Sequence, residues 1–179
     1  MQGIKAEIMD EAAMRRAITR ISYEIIERNS GTADLCVVGV RRRGAELAER
    51  IAHRIGEIEN CTVPTAFLDI TDYRDDRPGR KAQGVPVLEP AVPVTDRHLV
   101  LVDDVLFTGR TARAAMDAIM DMGRPRTLQL AVLVDRGHRE LPISPDFVGK
   151  NVPTSHSETV EVHTTGFDGE NRVVILQNV

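Results

Sequence analysis

A mostly parallel α/β sheet flanked by helices follows from three features of the sequence. The apolar runs Leu35-Cys36-Val37-Val38 and Leu99-Val100-Leu101-Val102 are continuous rather than alternating, as in strands buried on both faces. Amphipathic helical segments separate the apolar runs, so that strand and helix alternate along the chain. The run Leu99–Val102 also leads directly into Asp103-Asp104 and then into Thr108-Gly109-Arg110-Thr111. Acids placed where such a strand ends stand at the carboxyl edge, where open α/β sheets bind ligands.

Taken in order, Asp10 is a good N-cap for a helix over Glu11 to about Arg28. That segment carries Met14, Ile18, Ile21, Ile25 and Ile26 at three-and-four spacing, and Asn29-Ser30-Gly31 ends it. Asp34–Val40 reads as a buried strand, and the Gly39–Gly44 loop opens a second helix over Ala45 to about Ile55. Thr62–Ile70, with Pro64, suggests an extended segment near a sheet edge. No period survives from Thr71 to His98, and an aperiodic stretch of that length predicts a lid or binding loop. A helix over Arg110–Met122 follows, with Gly123 and Pro125 to stop it, then an apolar strand over Thr127–Val134. Asp135–Glu158 carries several prolines and reads as irregular. Val160–His163 and Val173–Leu176 read as late strands joined by Gly166-Phe167-Asp168-Gly169.

A chain of 179 residues, 42% hydrophobic and 28% charged, predicts one domain over residues 1–179 with a single good-sized core. It has no apolar stretch of the roughly 18 residues that a membrane span requires, and so no expected membrane partner. The N-terminal residues lack a basic-then-apolar signal, which predicts a cytoplasmic protein. Cys36 and Cys61 have no partner at metal or redox spacing and read as reduced core thiols. A formal net charge of -4 argues against indiscriminate nucleic-acid binding but leaves room for a local basic face.

Asp103 and Asp104 supply carboxylates for sugar hydroxyls or a metal. The Thr108–Thr111 turn supplies hydroxyls and free backbone N–H groups at a helix N-terminus, a ready anion site. Together they describe a sugar-phosphate site. A nucleotide triphosphatase would need Gly-x-x-x-x-Gly-Lys-Ser/Thr, which is absent. A dinucleotide fold would need Gly-x-Gly-x-x-Gly, which Gly39-Val40-Arg41-Arg42-Arg43-Gly44 does not supply.

Val102–Thr111 resembles the phosphoribosyl pyrophosphate (PRPP) signature of the type I phosphoribosyltransferases. Thr19-Arg20-Ile21, Asp69–Asp76, Gly123-Arg124-Pro125, Leu130–Pro142 and Gly149–Ser155 narrow the likeness. Over nearly the whole chain they resemble the bifunctional pyrimidine-operon attenuators and uracil phosphoribosyltransferases, the PyrR family, with Asp135-Arg136-Gly137-His138-Arg139-Glu140-Leu141-Pro142 the most discriminating run. The resemblance implies a type I phosphoribosyltransferase-like fold with a small irregular hood (about 135–160) and a long flexible lid (about 71–98). It also implies the reaction of uracil with PRPP to give UMP and pyrophosphate, with Mg²⁺ carried on PRPP and possible contacts from Asp103 and Asp104. A homo-oligomer, dimer or tetramer, is implied too.

On this reading Asp103 and Asp104 are catalytic, and Val105, Leu106, Phe107, Thr108, Gly109, Arg110 and Thr111 complete the PRPP loop. Val40, Arg41 and Arg42 hold the pyrophosphate, Arg136 and the neighbourhood of Val160 meet the base, and Tyr73, Arg74, Asp75 and Asp76 form the base of the lid. The family also implies binding to pyrimidine-operon leader mRNA in response to UMP or UTP. The candidate residues are Arg16, Thr19, Arg20 and Tyr23 on one helix face, with His138, Arg139 and Lys150 in the hood. The helix face reads equally well as a solvated basic surface. A regulator whose transferase site only senses nucleotides, or a transferase for another base, are the alternatives. Arg42, Tyr23 and Ser144 stand where the family leads one to expect Thr, His and Arg, and the lid tip is shorter.

Overall fold

A computed structural model describes residues 2–40, 42–73 and 86–178. Its six-stranded sheet has the order β4-β3-β2-β5-β6-β7, formed by β2 (Leu35–Val40), β3 (Thr65–Leu68), β4 (Leu88–Glu89), β5 (His98–Leu106), β6 (Thr127–Asp135) and β7 (Phe147–Asn151). All neighbours are parallel except β3 and β4. A second, antiparallel sheet joins β1 (Gln2–Met9), β9 (Arg172–Asn178) and β8 (Glu158–His163) in that order. The helices are α1 (Glu11–Arg28), α2 (Arg43–Glu59), α3 (Arg110–Met122) and the single turn α4 (Thr165–Asp168).

Strand pleating sends alternate residues to opposite faces, which explains why the central strands are apolar throughout. Leu35, Val37, Val100, Val102, Ala131 and Leu133 face one apolar cluster with Met14, Ile21 and Ile25 of α1 and Leu47, Ile51 and Ile55 of α2. Cys36, Val38, Leu99, Leu101, Leu130 and Val132 face a second cluster with Ala112, Ala115, Ala118 and Ile119 of α3. Val160, Val162, Val173 and Ile175 of the small sheet join the first cluster, so the small sheet shares the main core. No helix among the described residues is long and apolar enough to cross a membrane.

Asp10 caps α1 by accepting the Ala13 N–H at 2.7 Å, as the sequence predicts. Several elements depart from the sequence reading. β1 carries no clean alternation because the register against β9 shifts twice, between Ile4 and Ala6 and between Glu7 and Met9, and each shift breaks the two-residue period. β7 lies inside the stretch read as irregular. It is an edge strand of the main sheet with only Phe147 buried, too little to leave a hydrophobic pattern. Cys61 is exposed, within 3.6 Å of Thr32 Oγ1, rather than a core thiol. Cys36 is buried, which pushes its thiol up to about 11. Residues 86–98, read as part of the lid, hold to the body: Leu88 and Val94 are buried, and the Asp96 N–H bonds Arg124 O at 3.0 Å.

Gly39, next to the last residue of β2, is packed tightly against the start of α2. A Cβ on Gly39 would stand 2.5 Å from Ala45 Cα and 2.7 Å from Gly44 O, all backbone that cannot give way. Gly39→Ala should therefore destabilise the fold by about 3 kcal/mol or more, read as a lowered midpoint of chemical unfolding. An unchanged midpoint would mean that the turn can relax.

Candidate active site

β5 pairs with β2 only as far as Gly39↔Val102, because β2 then turns into α2. On its other flank β5 stays paired with β6 through Asp103↔Val132, Val105↔Val134 and Leu106↔Asp135. The acids thus lie within the last part of β5 and not beyond its end, on a flank that β2 has left. A Cβ on Gly44 would fall 2.8 Å from Val102 O and 3.3 Å from Asp103 Cα, so only glycine lets the α2 start sit this close to the acids. Each carboxylate is oriented by the next peptide: Asp104 N–H donates to Asp103 Oδ1 and Val105 N–H to Asp104 Oδ1, both at 2.8 Å.

Above this edge opens a cavity of about 810 Å³. Val40, Arg42, Asp103, Asp104, Val105 and Thr111, all singled out from sequence, line it. Ala45 of α2, Phe67 of β3, Asp69, Ile70 and Thr71 after it, and Phe167 of α4 complete the wall. Sequence reasoning missed these. Asp69–Thr71 carried a signal, since β3 ends at the same carboxyl edge; Phe167 carried none. Arg42 holds a positive φ of 74°, a strained geometry for a side-chain-bearing residue at a ligand-facing turn. Arg41, Arg74, Asp75 and Asp76 lie outside the described residues.

At the opposite end of the cavity β5 passes into α3 through Phe107-Thr108-Gly109. Gly109 takes φ +91° and caps α3 without a side-chain bond, so the first amides of the helix lack carbonyl partners. The Arg110 N–H bonds Thr108 Oγ1 at 3.3 Å. A clasp from residues 135–143 fixes the turn from outside. The Glu140 and Leu141 N–H groups donate to Thr108 O at 2.9 and 3.1 Å, and Arg110 Nε meets Glu140 Oε2 at 2.7 Å. Arg139, read as an RNA contact, donates to Phe107 O at 2.9 Å, to Ile143 O at 2.8 Å and to Asp135 Oδ2 at 2.5 Å. It serves the clasp. The Leu106 side chain is buried in the second core cluster, so only its backbone faces the site.

Arg136 is 5% exposed, lies 3.9 Å over the Phe107 ring and donates to Ser155 O at 3.0 Å. Burial lowers its pKa, and its Nε is a buried donor with no partner among the described residues. A buried unpaired donor is costly, and this one belongs to a side chain stacked on Phe107, the residue before the Thr108-Gly109 turn. His138, with φ +64°, bonds Thr154 O at 2.5 Å and lies 3.9 Å from the His156 ring. Val160 is buried in the first core cluster, leaving its backbone as its available polar surface. Tyr73 Oη donates to Asp121 Oδ2 of α3 at 2.9 Å and packs on the second cluster, turned from the cavity.

Arg16, Thr19, Arg20 and Tyr23 line a separate concavity on α1 with Arg15, Glu24 and Glu27, and Tyr23 is 53% exposed. Arg20 is committed to β7, donating to Val148 O at 3.1 Å and Gly149 O at 2.6 Å. That bond brings the neighbouring Lys150 to the α1 side, where its Nζ reaches Ile8 O at 3.1 Å. No hydrogen bond among the described residues joins His138 or Arg139 to this face.

The α4 turn, which follows β8 of the small sheet, is pinned to α2. Arg43 Nε and Nη2 meet Asp168 Oδ2 and Oδ1 at 3.1 and 2.8 Å, while the Gly166 N–H donates to Glu46 Oε2 at 3.2 Å. The Arg43 hydrogen bonds hold the Asp168 carboxyl down at about 2. Arg43 is raised in turn, first by Asp168 and further by the nearby charge of Asp104.

The phosphoribosyl transferase domain family matches residues 5–164 of the chain. Among curated relatives, the bifunctional protein PyrR of Pelotomaculum thermopropionicum is 60% identical over 175 residues, covering 97% of this chain and 96% of its own. The bifunctional protein PyrR of Brevibacillus brevis is 56% identical over 175 residues, covering 97% of both chains. Among solved structures, a hypoxanthine-guanine phosphoribosyltransferase from Bacillus anthracis superposes with a TM-score of 0.74, covering 99% of this chain and 100% of its own. At 16% identity it attests the fold alone.

With the Asp168 carboxyl depressed in the folded chain, its pair with Arg43 stabilises the fold fully above the ordinary aspartate range and fades as pH falls from about 4 towards 2. Asp168→Asn should cost about 1 kcal/mol at neutral pH, and the gap from wild type in thermal midpoint should narrow across that acid range. A gap independent of pH would show that the pair contributes nothing ionic.

Proposed function

The chain belongs to the phosphoribosyltransferase family, among the bifunctional PyrR proteins, and on that premise we propose that it transfers the ribose 5-phosphate of PRPP to uracil and also binds pyrimidine-operon leader mRNA in response to UMP or UTP. One observation carries the reading. The paired carboxylates Asp103 and Asp104 line one cavity together with Arg42 of the β2–α2 turn and Thr111 of the first turn of α3.

In this assignment the amides at the start of α3, with the Thr108 and Thr111 hydroxyls, hold the 5′-phosphate. Asp103 and Asp104 accept hydrogen bonds from the ribose hydroxyls and stabilise positive charge that develops on the ring as the anomeric bond breaks. The Val40–Arg42 turn holds the departing pyrophosphate. The unpaired Arg136 Nε offers a donor on the hood side, where the base is read. Among the described residues no cluster of three or more His, Cys, Asp or Glu is placed to cage a metal. One or two carboxylates plus substrate phosphates are what Mg²⁺ ordinarily takes, so the residues fit an ion that arrives on PRPP, with Asp103 and Asp104 as protein contacts. Bound there, Mg²⁺ would neutralise charge on the leaving pyrophosphate.

The RNA face is assigned to α1 with Lys150, Arg16 and Arg20 serving phosphates and Tyr23 offering a ring on which an unpaired base stacks. Arg139 and Glu140 of the 135–143 clasp grip the turn assigned to the nucleotide phosphate, while the RNA face is tied to the main sheet through the Arg20 bonds to Val148 O and Gly149 O of β7. A nucleotide shifts RNA affinity only so far as it binds the RNA-competent arrangement better. A cytoplasmic homo-oligomer completes the reading.

Asp104→Asn should lower kcat/KM for UMP formation from uracil and PRPP by about a hundred-fold or more without unfolding the chain. Near-normal turnover would remove the central assignment, and faster reaction with hypoxanthine or orotate would reassign the base. Arg16→Ala and Arg20→Ala should each weaken leader-RNA binding and flatten its salt dependence by about one ion, with transfer activity intact. The Arg16 variant decides the matter, since Arg20 also supports β7. RNA affinity that ignores both the Arg16 substitution and added UMP or UTP would refute the second function.

A further inference from the structure

Five large apolar side chains are exposed among the described residues: Ile4, Tyr23, Val87, Met120 and Phe167. Only Phe167 lines the central cavity. It is 57% exposed, and a phenyl ring left in water forgoes a favourable burial that a filled cleft would supply. The turn that presents it is firmly built. Asp168 is gripped by both Arg43 bonds and accepts the Thr164 N–H at 2.9 Å, and the Gly166 N–H is held by Glu46. A Cβ on Gly166 would stand 2.8 Å from Glu46 Oε2, so the turn is seated directly on α2. Three anchors thus hold one apolar ring at the wall of a polar cleft, beside Val40, Arg42 and Ala45.

We propose that Phe167 is a positioning residue that shuts water out of the cleft where the hood meets the β2–α2 turn, so that the activated sugar carbon is taken by the base and not by water. This rests on reading the cleft as a PRPP site. The reaction it suppresses is hydrolysis. A water oxygen bonds to the anomeric carbon, the bond from that carbon to pyrophosphate oxygen breaks with its electron pair leaving on pyrophosphate, and a proton passes to solvent, giving ribose 5-phosphate. Because Arg43 follows directly on the turn assigned to pyrophosphate, the Arg43–Asp168 pair keeps the ring in register with the leaving group.

The test uses the full chain with PRPP and Mg²⁺, measuring ribose 5-phosphate and UMP in the presence of uracil, and ribose 5-phosphate alone in its absence. Phe167→Ala should raise the ratio of PRPP hydrolysed to UMP formed by about five-fold or more. Phe167→Leu should stay near the wild-type ratio by keeping an apolar wall, and Asp168→Asn, with the ring on an untethered turn, should fall between. A purely structural role would lower the thermal midpoint and both rates together and leave the ratio unchanged; an unchanged ratio in Phe167→Ala overturns the proposal. If wild type consumes PRPP but makes no UMP, the uracil assignment fails, while the base-free hydrolysis rate of Phe167→Ala still decides this one. If wild type does not consume PRPP at all, both fall.

Discussion

The fold's chemistry depends on one steric constraint, the approach of the β2–α2 turn to the end of β5. Gly39 and Gly44 are both packed against backbone at distances that no Cβ tolerates. Their smallness ends β2 early, and the early end strips one flank of β5 at Val102. Asp103 and Asp104 fall on that flank. Had β2 run on beside β5, the acids would sit in a closed ladder with no cavity above them. The same approach sets Arg43 at the first turn of α2, within reach of the hood.

The hood is fastened on both sides of the cleft by different chemistry. On the α3 side, peptide N–H groups and Arg139 grip the carbonyls of Phe107 and Thr108. On the α2 side, a bidentate ion pair and the Glu46 carboxylate grip α4. The first combines backbone hydrogen bonds with the Arg110–Glu140 and Arg139–Asp135 ion pairs; the second is mainly ionic. The small sheet has no independent core, since β8 and β9 contribute Val160, Val162, Val173 and Ile175 to the first core cluster, shared with the main sheet. Cleft geometry and global stability are therefore coupled.

β2, β3, β5 and β6, the helices α1, α2 and α3 and the paired acids were legible in the sequence because strands buried on both faces leave continuous apolar runs and amphipathic helices leave a three-and-four period. What escaped has specific causes. β1 is bulged twice, so its side chains change face out of step with the sequence. β7 buries a single large residue. Arg139 looks like any exposed arginine until its three acceptors, one of them Phe107 O from another element, are brought together by folding. Phe167 sits in a Gly-Phe-Asp-Gly turn with no periodicity, and its position over the cleft is purely tertiary. Local patterns report burial within one element; they are silent about which distant loop ends opposite which.

The pairing of β1 with β9 sets an order of events in synthesis. The earliest of the nine described strands must wait for the latest before its backbone is satisfied. A nascent chain that has emerged through β7 already holds every strand of the main sheet, both acids and the anion turn. It still lacks β8, α4 and β9. Long-range closures of this kind come late, since loop entropy must be met before the contacts repay it. The α4 turn that grips α2 is translated late, so an interrupted chain would carry the paired acids in an open trough.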